Sequence, residues 1–360
     1  MSFDRIAAIV LAAGEGSRMR STRPKPLHHL CGRPMLQHIV DAVAGVHPAS
    51  VVVVVGHRGD WVTKVMVDHA PEGVPLSFVT QSEQLGTGDA TAVGLTGLDD
   101  DEADVLVMPG DVPLIKTETL AALLAAHRDS AAAATVLTTM LDQPTGYGRV
   151  VRAKDGSVAR IVEERDATDA ERAIREVNTS IYCFKRTLIA PALRRLQPTN
   201  AQGEYYLTDV LEVLASAGHL VSSVVLEDPT EVSGVNDRNQ LAVAERAMRR
   251  RINAQWMARG VTMWDPDGTY IDADVELDPD VVIMPGVILR GATTVGRDCE
   301  LGPDVLLTNT VVGEGATVRS TTATLAIIGP QAEVGPYVEL CSGAEVAPGD
   351  KVASARVLGL

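Results

Sequence analysis

The chain has 360 residues, 46% of them apolar and only 3% aromatic, so it can bury a sizeable core built from Val, Leu, Ile and Ala. Its 47 acidic residues against 32 basic ones leave a net charge of −15, which excludes nucleic acid and anionic membrane as partners unless a local basic patch intervenes. Four scattered cysteines without a CxxC pair exclude a disulfide framework and point to a reducing cytoplasm.

The length implies about two domains of roughly 150 residues. The first apolar run, Ile6 to Ala13, is too short to span a membrane and lacks the layout of a signal peptide. It reads as a buried first strand. Residues 10 to 25 follow as Val-Leu-Ala-Ala-Gly-Glu-Gly-Ser-Arg-Met-Arg-Ser-Thr-Arg-Pro-Lys. Gly14 and Gly16 let the backbone approach a triphosphate, and N–H groups in such a turn can face phosphate oxygens. Arg18 and Lys25 supply positive charge in the same loop. The Walker A pattern is missing, and position 19 is Met where the dinucleotide fingerprint needs a third glycine. A lone Gly-x-Gly is equally a tight turn. The two cations are what favour a phosphate loop.

The periodicity then predicts a helix at Met35–Val43, a strand at Val51–Val55, a helix at Asp60–Asp68 and a strand at Ser77–Thr80. Next come a helix at Gly88–Leu95, a strand at Val105–Met108, a helix at Thr119–His127 and a strand at Ala133–Thr138. Such alternation predicts an α/β fold with a mostly parallel sheet, whose ligands bind at the carboxyl ends of the strands. Asp111 stands at one such end, after Gly110, where a carboxylate holds a hard cation such as Mg²⁺ or simply makes a turn. His28 and His29 show no metal-ligand spacing and read as packing or surface residues.

Residues Asn239 to Arg259 form a charged, alanine-rich helical stretch without Gly or Pro, a connecting arm. The basic triplet Arg249-Arg250-Arg251 inside it reads as a solvated helix face. From Ile271 an aliphatic residue recurs every sixth position through Leu277, Ile283, Leu289, Val295, Leu301 and Leu307. The register shifts to Val312 and Val318, then resumes at Ile328, Val334, Leu340 and Val346. This hexapeptide period predicts a left-handed parallel β-helix, a prism that commonly stacks into trimers. Three parts result: 1–235, a helical arm over 236–262, and a short β-helix over 263–360.

The motif Leu-Ala-Ala-Gly-x-Gly-Ser-Arg-Met followed by Pro-Lys resembles the signature of the sugar-nucleotide pyrophosphorylases. Further stretches resemble one branch of it, the N-acetylglucosamine-1-phosphate uridyltransferases. They are Gln81 to Gly88, Thr145 to Val150, Ile161 to Thr168, Glu176 to Thr179, Asn200 to Asp209 and Gly234 to Arg238. The likeness runs from about residue 5 to about residue 337. It implies a Rossmann-like nucleotidyltransferase domain and a Mg²⁺-dependent, in-line transfer from UTP to N-acetylglucosamine 1-phosphate, with pyrophosphate leaving. It implies Arg18 and Lys25 as the catalytic cations. Nucleotide contacts fall on Leu11, Ala12, Ala13, Gly14, Gln81, Gly86, Thr87, Pro109, Gly110 and Asp111. Sugar contacts fall on Gly146, Glu163, Asn178 and Asn236, and the metal ligands are Asp111 and Asn236. Without the resemblance, Glu163 reads as a surface charge and Gln81 as an uninformative polar residue.

Two departures stand out. Pro109 replaces a residue with an N–H, which puts sugar selectivity near that loop in question. Members of this branch are usually bifunctional and carry an acetyltransferase site on a longer β-helix. Here Tyr337 to Cys341 holds an acid and a thiol where relatives are basic, and the sequence stops at Leu360. Acetyltransfer is therefore expected to be absent, and the short β-helix to serve a homotrimer. Rival readings keep the chemistry with another hexose 1-phosphate or dTTP, or make the chain a hexapeptide acetyltransferase or a silent regulatory paralogue.

Overall fold

The computed structural model describes residues 6–71, 73–99 and 103–353, and the backbone of 357–358. They divide into two compact units, 1–28 with 34–241, and 29–33 with 242–360.

In chain order the first unit and its inserted hairpin run as follows. Strand β1 is Ile6–Ala12; β2 (His29–Leu30) and β3 (Arg33–Pro34) make the short hairpin that belongs to the second unit; α1 is Met35–Ala44. Then come β4 (Ser50–Val55), α2 (Gly59–Asp68), β5 (Leu76–Thr80), α3 (Thr87–Leu95), β6 (Asp104–Pro109), α4 (Thr117–Ser130) and β7 (Ala134–Met140). The remainder is β8 (Arg149–Arg152), β9 (Val158–Val162), α5 (Asp169–Arg172), β10 (Glu176–Lys185), α6 (Arg186–Leu193), α7 (Asp209–Ser216) and β11 (Val221–Leu226). Helix α8, Arg238–Ala258, starts in the first unit and continues into the second.

The sheet order is β11-β7-β10-β6-β1-β4-β5, with β8 and β9 attached beside β10. Strands β5, β4, β1 and β6 run parallel, as do β7 and β11. Strand β10 is antiparallel to both β6 and β7. Every element expected from the periodicity between residues 6 and 138 is present, with ends moved by one to three residues. The stretch from β8 to β11 had no assigned elements. Its strands are interrupted by a turn, a bulge and polar residues, which obscure a period of two.

Alternate residues of the central strands feed two cores. Ala8 and Val10 pack with Leu36, Ile39 and Val40 of α1 and Leu120, Leu123 and Leu124 of α4. Ala7 and Ile9 pack on the other face with Ala90 and Leu95 of α3 and Val210, Leu211 and Leu214 of α7. Each such valine, leucine or isoleucine removed from water stabilises the fold by about 1.5–3 kcal/mol. Both faces being covered explains why these strands read as continuous apolar runs.

The second unit is a left-handed parallel β-helix of three sheets, with six, six and five strands. Ile283 pairs with Leu301, eighteen residues on, so three six-residue steps close one coil. Every aliphatic residue of the period is buried, from Ile271 at 2% exposed to Val346 at 3%. The register shift comes from five-residue steps: Val312 follows Leu307 by five, and the fully buried Ala323 stands five residues after Val318 and five before Ile328, so the coils there are one or two residues shorter. A second buried column lies two residues before the first, at Val281, Val287, Thr293, Cys299 and Val305.

One expectation fails in this unit. The basic triplet is not a uniformly solvated face. Arg249 is 9% exposed and lies 4.1 Å above the Tyr270 ring, while Arg250 pairs with Asp267 at 2.9 Å. A guanidinium is weakly hydrated and stacks on an aromatic face, so helix periodicity alone understates its burial. The hairpin is tied here as well: Glu245 Oε2 accepts from Cys31 N at 2.8 Å, and Asp274 pairs with Arg33.

Candidate active site

A cavity of about 670 Å³ opens at the carboxyl ends of β1 and β6. Every residue singled out from the sequence for nucleotide, sugar or metal lines it, from Leu11 in β1 to Asn236 before α8. The structure thus gathers them around one space.

The loop after β1 turns sharply because Gly16 sits at φ 63°, in the left-handed region. A Cβ there would stand 2.6 Å from Lys25 Cβ, so only glycine lets the lysine stem pass. Lys25 starts a single 3₁₀ turn, Lys25–Leu27. Its ammonium donates to Asp111 Oδ2 at 2.5 Å and to Asn236 Oδ1 at 2.8 Å. Arg18 donates to the same Asn236 oxygen at 2.9 Å. Two cations and two acceptor oxygens, remote in sequence, therefore converge.

Backbone bonds hold this convergence. Gly110 N donates to Leu11 O at 2.8 Å, continuing the β1–β6 ladder past Pro109, which has no N–H to give. Val235 N donates to Asp111 O at 2.8 Å. Gln240 Oε1 accepts from Asn236 N at 2.7 Å, and Arg238 donates to Met19 O at 3.1 Å. The segment leading into α8 and its start are thereby stitched to the Asp111 loop and to the turn after β1.

Beside the start of α3, Gln81 is 5% exposed and donates to Asp89 Oδ2 at 2.7 Å. Gln84 donates to Ala13 O at 3.0 Å. Gly86 adopts φ 111°, and a Cβ on it would meet Tyr205 O at 2.6 Å. The Thr87 hydroxyl accepts from Leu207 N at 3.0 Å, so α3 begins anchored to the 200–208 loop.

The wall that carries Glu163 is acidic. Glu163 is not a surface charge. Burial pushes its carboxyl above the usual carboxylate range, against the Thr208 hydrogen bond at 3.3 Å, and Asp209 and Asp166 add to the rise. Asp209 is pushed up to about 6 by burial, then by Glu212 and Asp166. Gly146, at φ 89°, gives its N–H to Glu164, which pairs with the buried Arg149 at 2.7 Å. Asn178 lies at the β10 bulge. It donates to Tyr182 Oη at 2.8 Å and accepts from Ser180 N at 3.0 Å, so its amide holds the bulge as well as facing the cavity.

Sequence reasoning passed over several lining residues. Tyr206 is 8% exposed, and its buried hydroxyl has no partner among the described residues. Burial, with Asp166 and Glu163 adding, pushes it up to about 12. Tyr147, Thr208 and Gln240 also line the space. All lie within or beside the motifs that carried the resemblance, but their contacts are long-range and no local pattern signals them.

A MobA-like NTP transferase domain matches residues 8–212, more than half of the chain. Three relatives are each named bifunctional protein GlmU. The one from Brevibacillus brevis is 45% identical over 97% of this chain and 74% of its own length. That from Corynebacterium aurimucosum is 47% identical over 94% and 69%, and that from Mycolicibacterium vanbaalenii 46% over 96% and 71%. The chain belongs to the GlmU family. It is a nucleotidyltransferase of the sugar-nucleotide pyrophosphorylase type, and the cavity at the ends of β1 and β6 lies within the matched domain or just after it.

Among the described residues, no helix is long and apolar enough to cross a membrane.

Proposed function

We propose that this chain transfers a uridylyl group from UTP to N-acetylglucosamine 1-phosphate, releasing pyrophosphate, with Mg²⁺ as the metal. The observation that carries the reading is the convergence of Lys25, Arg18, Asp111 and Asn236 at the strand ends.

Asp111 Oδ2 and Asn236 Oδ1 both point at one cationic centre, the Lys25 ammonium, at 2.5 and 2.8 Å. A carboxylate and an amide oxygen sharing one point fit a hard cation that takes its remaining ligands from phosphate and water. Three clustered His, Cys, Asp or Glu side chains are not required for that mode of binding. When bound, the ion would neutralise charge on the phosphates, with Asp111 and Asn236 as its protein ligands.

The chain's own residues supply the rest. Gly14 and Gly16 shape the turn along which a triphosphate lies. Lys25 and Arg18 face the charge that builds on the α-phosphate and the departing pyrophosphate. Gln81 and the 86–87 turn receive the base. Glu163 and Asn178 face the sugar, and the open Tyr206 hydroxyl offers it a further hydrogen bond. Attack by the sugar phosphate on the α-phosphorus needs no side-chain nucleophile. Positioning and charge neutralisation suffice.

The homotrimer expected from the β-helix belongs to the same proposal, and Trp264, Leu325, Ile327 and Tyr337, each at least 48% accessible, are the apolar side chains it would have to cover. Four free thiols suit a reducing cytoplasm. We retain the division into transfer domain, arm and β-helix at 235 and 262 as a working description.

Pyrophosphate release across a panel of sugar 1-phosphates and NTPs tests the reading. UTP with N-acetylglucosamine 1-phosphate should give the highest kcat/KM. A higher value for another hexose 1-phosphate or for dTTP replaces the substrates. No release with any pair removes the proposal. The same preparation with glucosamine 1-phosphate and acetyl-CoA should form no acetylated product.

A further inference from the structure

This inference rests on the uridylyl-transfer reading and concerns how the base is chosen. A buried carboxamide can turn either its oxygen or its nitrogen to a ligand, and the two orientations read opposite base edges. In Gln81 the nitrogen is committed. Nε2 donates to Asp89 Oδ2 at 2.7 Å and to the Gly86 carbonyl oxygen at 3.3 Å. A carboxylate and a carbonyl accept only, so a flipped amide would set Oε1 against two acceptors. Among the described residues nothing donates to Gln81 Oε1, and Gln81 lines the cavity. The oxygen is the end left for a ligand.

We propose that Asp89 is a positioning residue that locks Gln81 with its oxygen towards the nucleobase, so that the site selects a pyrimidine with a ring N–H over one with a bare ring nitrogen. Uracil and thymine carry a hydrogen on N3. Cytosine presents a lone pair there and would meet the Gln81 oxygen lone pair to lone pair. The lock is stable for two reasons. Asp89 stands in the first turn of α3, where the helix dipole favours a negative charge. Gln81 N donates to Val55 O at 2.8 Å, so the backbone beneath the amide is held too.

The test is calorimetric titration of UTP and CTP, each with magnesium, into the full chain. The wild type should bind UTP on the order of 100-fold more tightly than CTP. Asp89→Asn offers an amide that pairs with Gln81 in either orientation, and should cut that preference about tenfold. Asp89→Glu keeps an acceptor and should retain most of it. Gln81→Met should lose the preference, and adding Asp89→Asn to it should change nothing further, because the aspartate acts through the glutamine. Equal wild-type affinities, an undiminished preference in Asp89→Asn, or an additive loss in the double variant would each overturn the inference. Failure of the wild type to bind UTP at all would overturn the parent reading and this inference with it, and is distinguished from a changed ratio by the UTP titration alone.

Discussion

The cavity and the β-helix are built on opposite plans. In the cavity, single side chains from distant segments meet once: Lys25 and Arg18 reach Asp111 and Asn236 through three hydrogen bonds. In the β-helix the same contact recurs on every coil, and Ile283, Leu301, Val318 and Val334 stack as one buried column. Precision is concentrated in the first region and redundancy in the second. Substitutions in the first should therefore change chemistry more than stability, and in the second stability more than chemistry.

The largest break of that comparison is Asp111→Ala. It removes the carboxylate from the convergent set and should lower kcat/KM on the order of 10³-fold, with a melting temperature within a few degrees of wild type. Turnover that persists at the wild-type level would separate Asp111 from the reaction. On the other side, Leu307→Ala opens a void in a fully buried column. It should destabilise the second unit by about 3 kcal/mol in denaturant titration, while turnover per folded molecule in the uridylyl assay stays within twofold. A large fall in kcat without a stability change would erase the distinction.

Gly16→Ala lies between these cases. The left-handed φ and the 2.6 Å approach to Lys25 Cβ should together cost about 1–2 kcal/mol of stability. Lys25 must also shift, so activity should fall about tenfold or more, which the pyrophosphate assay reads.

The smallest effect is electrostatic. Asp209 is raised from 3.8 to about 6 in the folded chain, first by burial and then by Glu212 and Asp166. A carboxyl that holds its proton more tightly when folded favours the folded state below about pH 4. That advantage is lost as pH rises through about 6. Asp209→Asn removes the group. Relative to wild type it should gain about 1 kcal/mol at pH 7, a figure reduced for the group's partial exposure, and nothing near pH 3.5. Melting curves of both proteins across that range check the sign.

Legibility followed the same division. Strands β1, β4, β5 and β6 and their helices announce themselves because burial on both faces leaves continuous Val, Ile, Leu and Ala runs. The β-helix announces itself because its coil forces an aliphatic residue inward at nearly every sixth position, and Ala323 escaped because it is small and lies between two five-residue steps. The turn at Gly14–Gly16 that brings Arg18 and Lys25 to the cavity was marked by two glycines and two cations in one short segment. Strand β10 was not, since its bulge at 178–182 breaks the alternation. The burial of Arg249, the protonation-prone setting of Glu163 and the open hydroxyl of Tyr206 were equally hidden, because burial depends on what packs from elsewhere.

By itself the sequence determined the alternation of strands and helices, the coil period of the second unit and the glycine turn that carries Arg18 and Lys25, because these are written in local spacing. Only the tertiary structure decided that Lys25 meets Asp111 and Asn236, and that Asp89 takes the nitrogen of Gln81. The first meeting joins residues 86 and 211 positions apart, through strand register and a helix start. The second turns on which way a single amide faces, and that is set by its acceptors rather than by any spacing along the chain.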